Sequence, residues 1–414
     1  MATRTKTAAR KSARPSVARN SRVQFDKVSA ASSGFIRRVL SAQSRDFYLL
    51  IALTAFLAVF GVFMVLSSSF IDALKTDNNA FSIFFKQSIS AVAGFLGLAV
   101  VSLFRASTIR KWMVPFTAFW VVVQLLVVFT PIGVSVNGNR NWIRVFGFTI
   151  QPSEFLKLAM ILLVAQLIFS KQDELDDLKD TWLPVLLTSG GIMLSVLGGR
   201  DVGTVIVMSL ILVGMAVFAG LPRIVAVGVG LLGAIAIPLI MRSSESRWGR
   251  VMAWLFPDAP DPNDYNWQTT HGIWAFAAGG IGGVGLGQSK LKWSWIPEAE
   301  NDFIFAIIGE EMGLIGALVI IVLIIYMAVL FIRIAMKTTD LFKRLVVLGI
   351  MLWISVQSFV NIAVVLTLLP VLGVPLPLIS AGGSSMLASL LAIGVVLAIE
   401  RENHEIGATK RRAR

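Results

Sequence analysis

Several charged residues stand where an otherwise apolar chain leaves little room for charge. Glu154 and Lys157 lie three residues apart in PSEFLKLAM, and Glu298, Glu300, Asp302, Glu310 and Glu311 lie along PEAENDFIFAIIGEE. A carboxylate so placed can take a proton from a hydroxyl, and an amine beside it can hold an anion. Each charge costs about 2.5–3.5 kcal/mol at the centre of a membrane span on insertion scales, so each asks for a partner or a polar cavity. Each also has a plainer reading. Glu154 and Lys157 share a helix face, about 5–6 Å apart, and can simply neutralise one another. Asp302 can cap the helix that follows it. Glu310 and Glu311 point about 100° apart around a helix, so at least one must meet a polar space or another helix. Gly309 and Gly313 beside them would permit close helix packing instead.

Other stretches raise the same pair of readings. AAGGIGGVGLGQ, residues 277–288, holds six glycines, which can form an N–H nest for phosphate or merely a flexible turn. Lys290 and Lys292 beside Trp293 and Trp295, and Arg247 and Arg250 beside Trp248, form either an interfacial belt or a hold on a lipid diphosphate. Asp258, Asp261 and Asp264 lack calcium-loop spacing and read as turn residues. In LPVLGVPLPLISAGGSS, residues 369–385, three prolines interrupt the apolar pattern. Such breaks survive at membrane depth only when buried or lining water. Gln357 and Asn361, four apart, can serve such a cavity or pair with a neighbouring helix.

The elements that must position these residues follow from composition. Of 414 residues 56% are hydrophobic and 15% charged, beyond the balance of soluble domains. Ten apolar runs approach the length a helix needs to cross a bilayer: 47–70, 84–104, 112–130, 155–168, 182–197, 202–219, 224–241, 303–331, 346–369 and 378–399. The expected fold is an all-α polytopic membrane protein with ten transmembrane helices and a large external loop, 242–302, between helices 7 and 8. That loop holds six Trp and is expected to form short interfacial or re-entrant helices. Most of the 37 Lys and Arg fall on the side of the amino terminus, which the positive-inside rule makes cytoplasmic, with the carboxyl terminus beside it. Residues 1–45, with eleven Lys or Arg and one acid, read as a disordered basic tail near anionic lipid. Residues 401–414 read as a second basic tail, and 46–400 as the membrane domain. The net charge of +13 thus reflects topology, and nothing else suggests nucleic acid. With no Cys and two His, disulfides, thiolate sites and His-rich metal sites are excluded.

Four motifs, QPSEFLKL (151–158), RDVGT (200–204), GVGLGQSKLKW with PEAENDFIFAIIGEE (283–293, 297–311) and PLPLISAGGSS (375–385), give the chain a resemblance to the SEDS family. These are ten-span bacterial membrane proteins that polymerise peptidoglycan from lipid II. The likeness covers nearly all of residues 47–400 and is greatest to the family's division branch, of the actinobacterial kind, with the elongation branch close behind. It implies that Asp302 is the catalytic carboxylate, that Glu154 and Lys157 lie close to it in an external cavity, and that Glu298 and Ser384 also serve the substrate. Where many members have Arg-Trp-Ile, this chain has Asn141, Trp142 and Ile143, so Arg140 or Arg144 is expected to supply the cation. Ala381 and Leu372 replace a common Tyr and a frequent Thr or Lys. The implied reaction is attack of a sugar 4-hydroxyl on the anomeric carbon of a second lipid-linked disaccharide. Lys157, Lys290, Lys292 or a divalent ion, Mg or Mn, would hold the departing undecaprenyl diphosphate. Expected partners are a class B penicillin-binding transpeptidase and other divisome membrane proteins. A lipid II transporter and a scaffold for the transpeptidase are the rival readings.

Overall fold

Hydrocarbon offers peptide groups no partners, so apolar runs must satisfy their own backbones as helices. The computed structural model describes residues 43–412 apart from 137, 176, 260, 262 and 294. The expected tail at 1–45 lies outside them but for its last three residues. Chain order is α1 (Arg45–Asp77), α2 (Ser82–Ser102), α3 (Ala106–Phe129), β1 (Gly133–Val136), β2 (Asn139–Val145), β3 (Phe148–Ile150), α4 (Pro152–Ser170), α5 (Leu183–Gly198) and α6 (Val202–Ala219). There follow α7 (Arg223–Arg242), α8 (Glu245–Leu255), α9 (Trp267–Gly279), α10 (Ile304–Lys337), α11 (Leu341–Val365) and α12 (Gly383–Arg412). Ten of the helices are long and apolar enough to cross a membrane. The two short ones, α8 and α9, fall in the long loop, as its tryptophans suggested.

The helices sort by burial. More than two thirds of the apolar windows of α4, α11 and α12 are buried, whereas hardly any of that of α7 is. At one end of the bundle the starts of α1, α3 and α11 meet the ends of α10 and α12. There Lys337 bonds Asp46 and lies 3.8 Å from Glu400, Lys343 pairs with Glu402 at 2.6 Å, and Glu402 also accepts from the Ala106 N–H. This gathering is what strict up-and-down threading of ten spans requires.

The opposite end carries the functional loops. The segment between α3 and α4, read from its turn residues alone, folds as an antiparallel sheet in the order β1, β2, β3. Between α11 and α12 the helical reading was too generous. The ninth span stops at Val365 and the tenth starts at Gly383, and residues 366–382 run as irregular chain. Pro370, Pro375 and Pro377 cannot donate to a helix, and the segment reads as apolar because protein buries it. α12 runs on into the expected basic tail at 401–414 as far as Arg412.

A break inside α10 explains the glycine run and the paired glutamates. Gly313 has φ 65 and ψ −167, outside the helical region, and a residue with a Cβ is strained there. The peptide groups the break frees are taken up by the loop 279–285. Val284 and Gly285 donate to the carbonyls of Glu310 and Glu311, each at 3.0 Å, and Leu314 and Ile315 donate to the carbonyls of Gly280 and Ile281. The glycine run is therefore packed into a broken helix rather than cradling phosphate. Downstream of it, Glu310 accepts from the Ser289 hydroxyl and the Lys290 N–H, and Glu311 pairs with Lys292 at 3.2 Å. A Cβ at Gly283, where φ is +82, would come within 2.2 Å of the Glu311 carbonyl. Gly283→Ala is accordingly expected to cost at least about 1–3 kcal/mol, visible as a lowered unfolding midpoint in detergent. An unchanged midpoint would show that the loop does not seal the break.

Candidate active site

Helices, the sheet segment and several loops line a cavity of about 430 Å³ at the end of the bundle away from both described termini. Asp302 and Glu298 reach it from the segment before α10, Asp201 from the turn before α6, Lys86 and Gln87 from α2, Arg250 from α8, and Ser384 from α12. Each is held by ordinary local structure. Asp201 caps α6, its carboxylate accepting from the Thr204 N–H at 3.0 Å and from the Gln151 amide at 2.9 Å. Gln87 spans residues 380–382, donating to the Ser380 carbonyl at 3.0 Å and accepting from the Gly382 N–H at 3.1 Å. Ser384 accepts from the Gln151 N–H at 2.9 Å, tying α12 to the start of α4. The Ser380 hydroxyl donates to the Asn301 carbonyl at 2.6 Å, and the Ala381 N–H donates to the Glu300 carbonyl at 2.8 Å. The irregular chain before α12 thereby fastens the acidic loop.

Asp302 sits beside Gly373, where a Cβ would lie 3.6 Å from its Oδ2. Burial first, then the negative charge of Glu298, pushes the Asp302 carboxyl up to about 7, against the pull of Arg250. Burial raises Glu300 to about 7 as well, and raises Asp201 above the usual carboxylate range. Asp302 is thus a carboxylate whose proton affinity lies close to neutral pH, the balance that suits a general base.

Glu154 and Lys157 were expected in this cavity, and they do not line it. Both are buried, at 1% exposure. Lys157 Nζ lies 2.8 Å from Glu154, 2.6 Å from Gln357 Oε1 and 4.9 Å from the centre of the Trp353 ring. Gln357 in turn donates to the Pro375 carbonyl at 2.9 Å. Asn361, one turn further along α11, donates to the carbonyls of Asp302 and Val374, each at 2.8 Å. The pair and the two amides of α11 form a layer behind the cavity that holds the chain around Asp302 in place.

The other expected cations are also elsewhere. Arg140 donates to the Thr130 carbonyl and Arg144 is exposed; neither lines the cavity, while Trp142 between them does. Lys290 is exposed, and Lys292 is committed to Glu311 and the Gly287 carbonyl. The cavity's cations are Lys86 and Arg250. Lys86, early in an apolar run, and Asp201, in a motif read only as a family mark, were not singled out from sequence. Ala381 and Leu372, two of the positions expected to depart from the family pattern, both line the cavity.

A family model for cell cycle proteins of the FtsW, RodA and SpoVE kind matches residues 47–405. A protein of Mycobacterium tuberculosis named probable peptidoglycan glycosyltransferase FtsW is 37% identical over 369 residues, covering 89% of this chain and 70% of its own. A protein of the same name from Trichlorobacter lovleyi is 35% identical over 364 residues, covering 88% of this chain and 95% of its own. Among solved structures, a chain from a study of the structural coordination of polymerization and crosslinking by a peptidoglycan synthase complex superposes with a TM-score of 0.71. Its identity is 25%, over 88% of this chain and 99% of that one.

Proposed function

The chain belongs to the FtsW, RodA and SpoVE family of cell cycle proteins, and we propose that the cavity at Asp302 is where it joins one sugar chain to another. It is a multi-pass membrane protein and a peptidoglycan glycosyltransferase of the division branch. The substrate we assign is lipid II, reached from the outer face of the cytoplasmic membrane at the septum, with both termini in the cytoplasm. Similarity to a chain of a synthase complex supports a crosslinking partner, a class B penicillin-binding transpeptidase, together with other divisome membrane proteins.

In the proposed reaction the 4-hydroxyl of one lipid-linked disaccharide attacks the anomeric carbon of another. A carbon–oxygen bond forms there as the bond to the diphosphate oxygen breaks. The hydroxyl proton passes to Asp302, and the electron pair leaves with undecaprenyl diphosphate. Of the cavity's two cations, Lys86 and Arg250, Arg250 shares in the electrostatic part that the sequence had suggested for Lys157, Lys290 and Lys292. Among the described residues no three acidic or histidine side chains converge as ligands. Those residues offer no ready-made cage for the expected Mg or Mn ion. A transporter would need exchangeable polar groups at both ends of the bundle. At the end opposite the cavity, Asp46, Lys337, Glu400, Lys343 and Glu402 are engaged in ion pairs.

The observation that carries the assignment is Asp302, a base with its proton affinity near 7, inside a cavity that also holds cations. Below about 7 the carboxyl is protonated and cannot accept the hydroxyl proton, so polymerisation of lipid II by the purified protein is expected to rise with pH through that region. Glu298 is the charge that raises Asp302 most. Glu298→Gln is therefore expected to move the acidic limb of the rate profile to lower pH. A profile flat from pH 6 to 8, or a limb that moves upward in the variant, would count against Asp302 as the base.

A further inference from the structure

A second cavity, of about 740 Å³, shares Arg250 and part of a wall with the first, and its other residues take no part in the chemistry above. It lies between the end of α7, the start of α8, the turn before α6 and the irregular chain after α11. Its charged residues are Arg200, Arg247 and Arg250, with Ser243, Ser244 and Ser246 around them, and none of its described lining residues is acidic. Arg200 is held at φ 66, an uncommon backbone state for a residue with a Cβ. Burial, and then the charges of Arg200 and Arg250, push the Arg247 guanidinium below its ordinary value. Both charge effects are repulsive. Guanidinium groups gathered this way match the geometry of a phosphate anion.

We propose that this second cavity is the subsite for the diphosphate of the sugar donor, the prenyl lipid whose bond to sugar breaks. The assignment rests on the glycosyltransferase reading above and says which of two chemically similar lipids sits where. Polymerisation brings together two lipid diphosphates, and the first cavity is lined by Asp201, Glu298, Glu300 and Asp302, which repel phosphate. The second is free of acids among its described lining residues. When the anomeric carbon–oxygen bond breaks, the electron pair stays on the donor's diphosphate, which gains a negative charge and needs the denser cation cluster. Arg250 lines both cavities, and its charge acts on Asp302. The base that takes the acceptor's proton and the pocket that takes the leaving group thus flank one point, as a displacement requires. The tail has a path too. Leu239 lines the cavity, and Leu239, Ile235, Leu232 and Leu231 are all exposed on α7, so an apolar stripe runs from the arginines along an unpacked helix.

The test measures binding to the full chain in detergent, with undecaprenyl diphosphate, inorganic diphosphate and phosphatidylglycerol vesicles as probes. Loss of two charge-assisted contacts in the Arg200→Gln/Arg247→Gln double variant is expected to weaken undecaprenyl diphosphate binding about tenfold or more. The corresponding double Lys variant is expected to keep most of the affinity. Inorganic diphosphate is expected to compete, and phosphatidylglycerol not to. Ser244→Asp, which adds a negative charge to the pocket without removing an arginine, gives the same weakening if the double variant does not fold. Unchanged affinity in the folded Gln variant or in Ser244→Asp overturns the proposal. So does equal competition by phosphatidylglycerol, which would mark a general anionic-lipid site. Asp302→Asn is expected to bind undecaprenyl diphosphate within about twofold of the native chain. An Asp302→Asn protein that polymerises at the native rate would remove Asp302 from catalysis and leave the arginine result standing.

Discussion

Asp302→Asn is expected to fold as the native chain does and to polymerise lipid II about 10²–10⁴-fold more slowly, the range that general acid–base catalysis contributes. The amide keeps the shape of the carboxylic acid but cannot accept the hydroxyl proton. The fold should tolerate it because burial and the neighbouring acids already favour the uncharged form of Asp302. A carboxyl raised in this way adds no stability as pH increases; ionising it above about 7 costs the folded state. An unfolding midpoint in detergent measured beside the rate separates the two effects. A variant that unfolds early and is slow for that reason would say nothing for the base, whereas native stability with lost activity supports it.

Lys157→Met is expected to destabilise the protein by about 3–5 kcal/mol, the cost of leaving one member of a buried ion pair alone. Glu154 would lose the ammonium at 2.8 Å, and Gln357 would lose a partner at 2.6 Å. Because Gln357 also holds the Pro375 carbonyl, the chain around Asp302 loosens and activity falls, though Lys157 does not line the cavity. Glu154→Gln combined with Lys157→Met removes both charges and is expected to recover most of the stability and part of the activity. Recovered stability with no activity would mean that Lys157 meets the substrate itself, and the supporting layer assigned to it would have to be abandoned.

Hydropathy was enough for the ten spans because the bilayer penalises any other arrangement of apolar backbone. It overran residues 366–369 and 378–382 because chain buried in protein is as apolar as chain buried in lipid. Asp302, Glu298 and Ser384 could be placed at one end of the bundle from sequence. Lys157, Lys290 and Lys292 could not be placed correctly, since a position along the chain does not say which way a side chain faces. Glu311 takes Lys292 across a loop whose course depends on a helix break at Gly313, and only the fold brings these together. Lys86 escaped notice as a site residue for the converse reason, and Arg250 was read only as one of two cations beside Trp248. In sequence they look like ordinary charges at the edge of a membrane, and it is the meeting of α2, α8 and the acidic loop around one cavity that brings them into its lining with Asp302. The sheet before α4 was hidden by its turns: only short strands lie between them, and its register depends on pairing the sequence does not display.

The claim on which the rest hangs is that sugar transfer takes place at Asp302. It is tested most directly by giving purified native and Asp302→Asn proteins, each with the cognate transpeptidase, lipid II at pH 8 and resolving the products by length. Glycan strands from the native protein, and about a hundredth as much or less from the variant in the same time, are the result expected here. Strands of equal yield from both would contradict it.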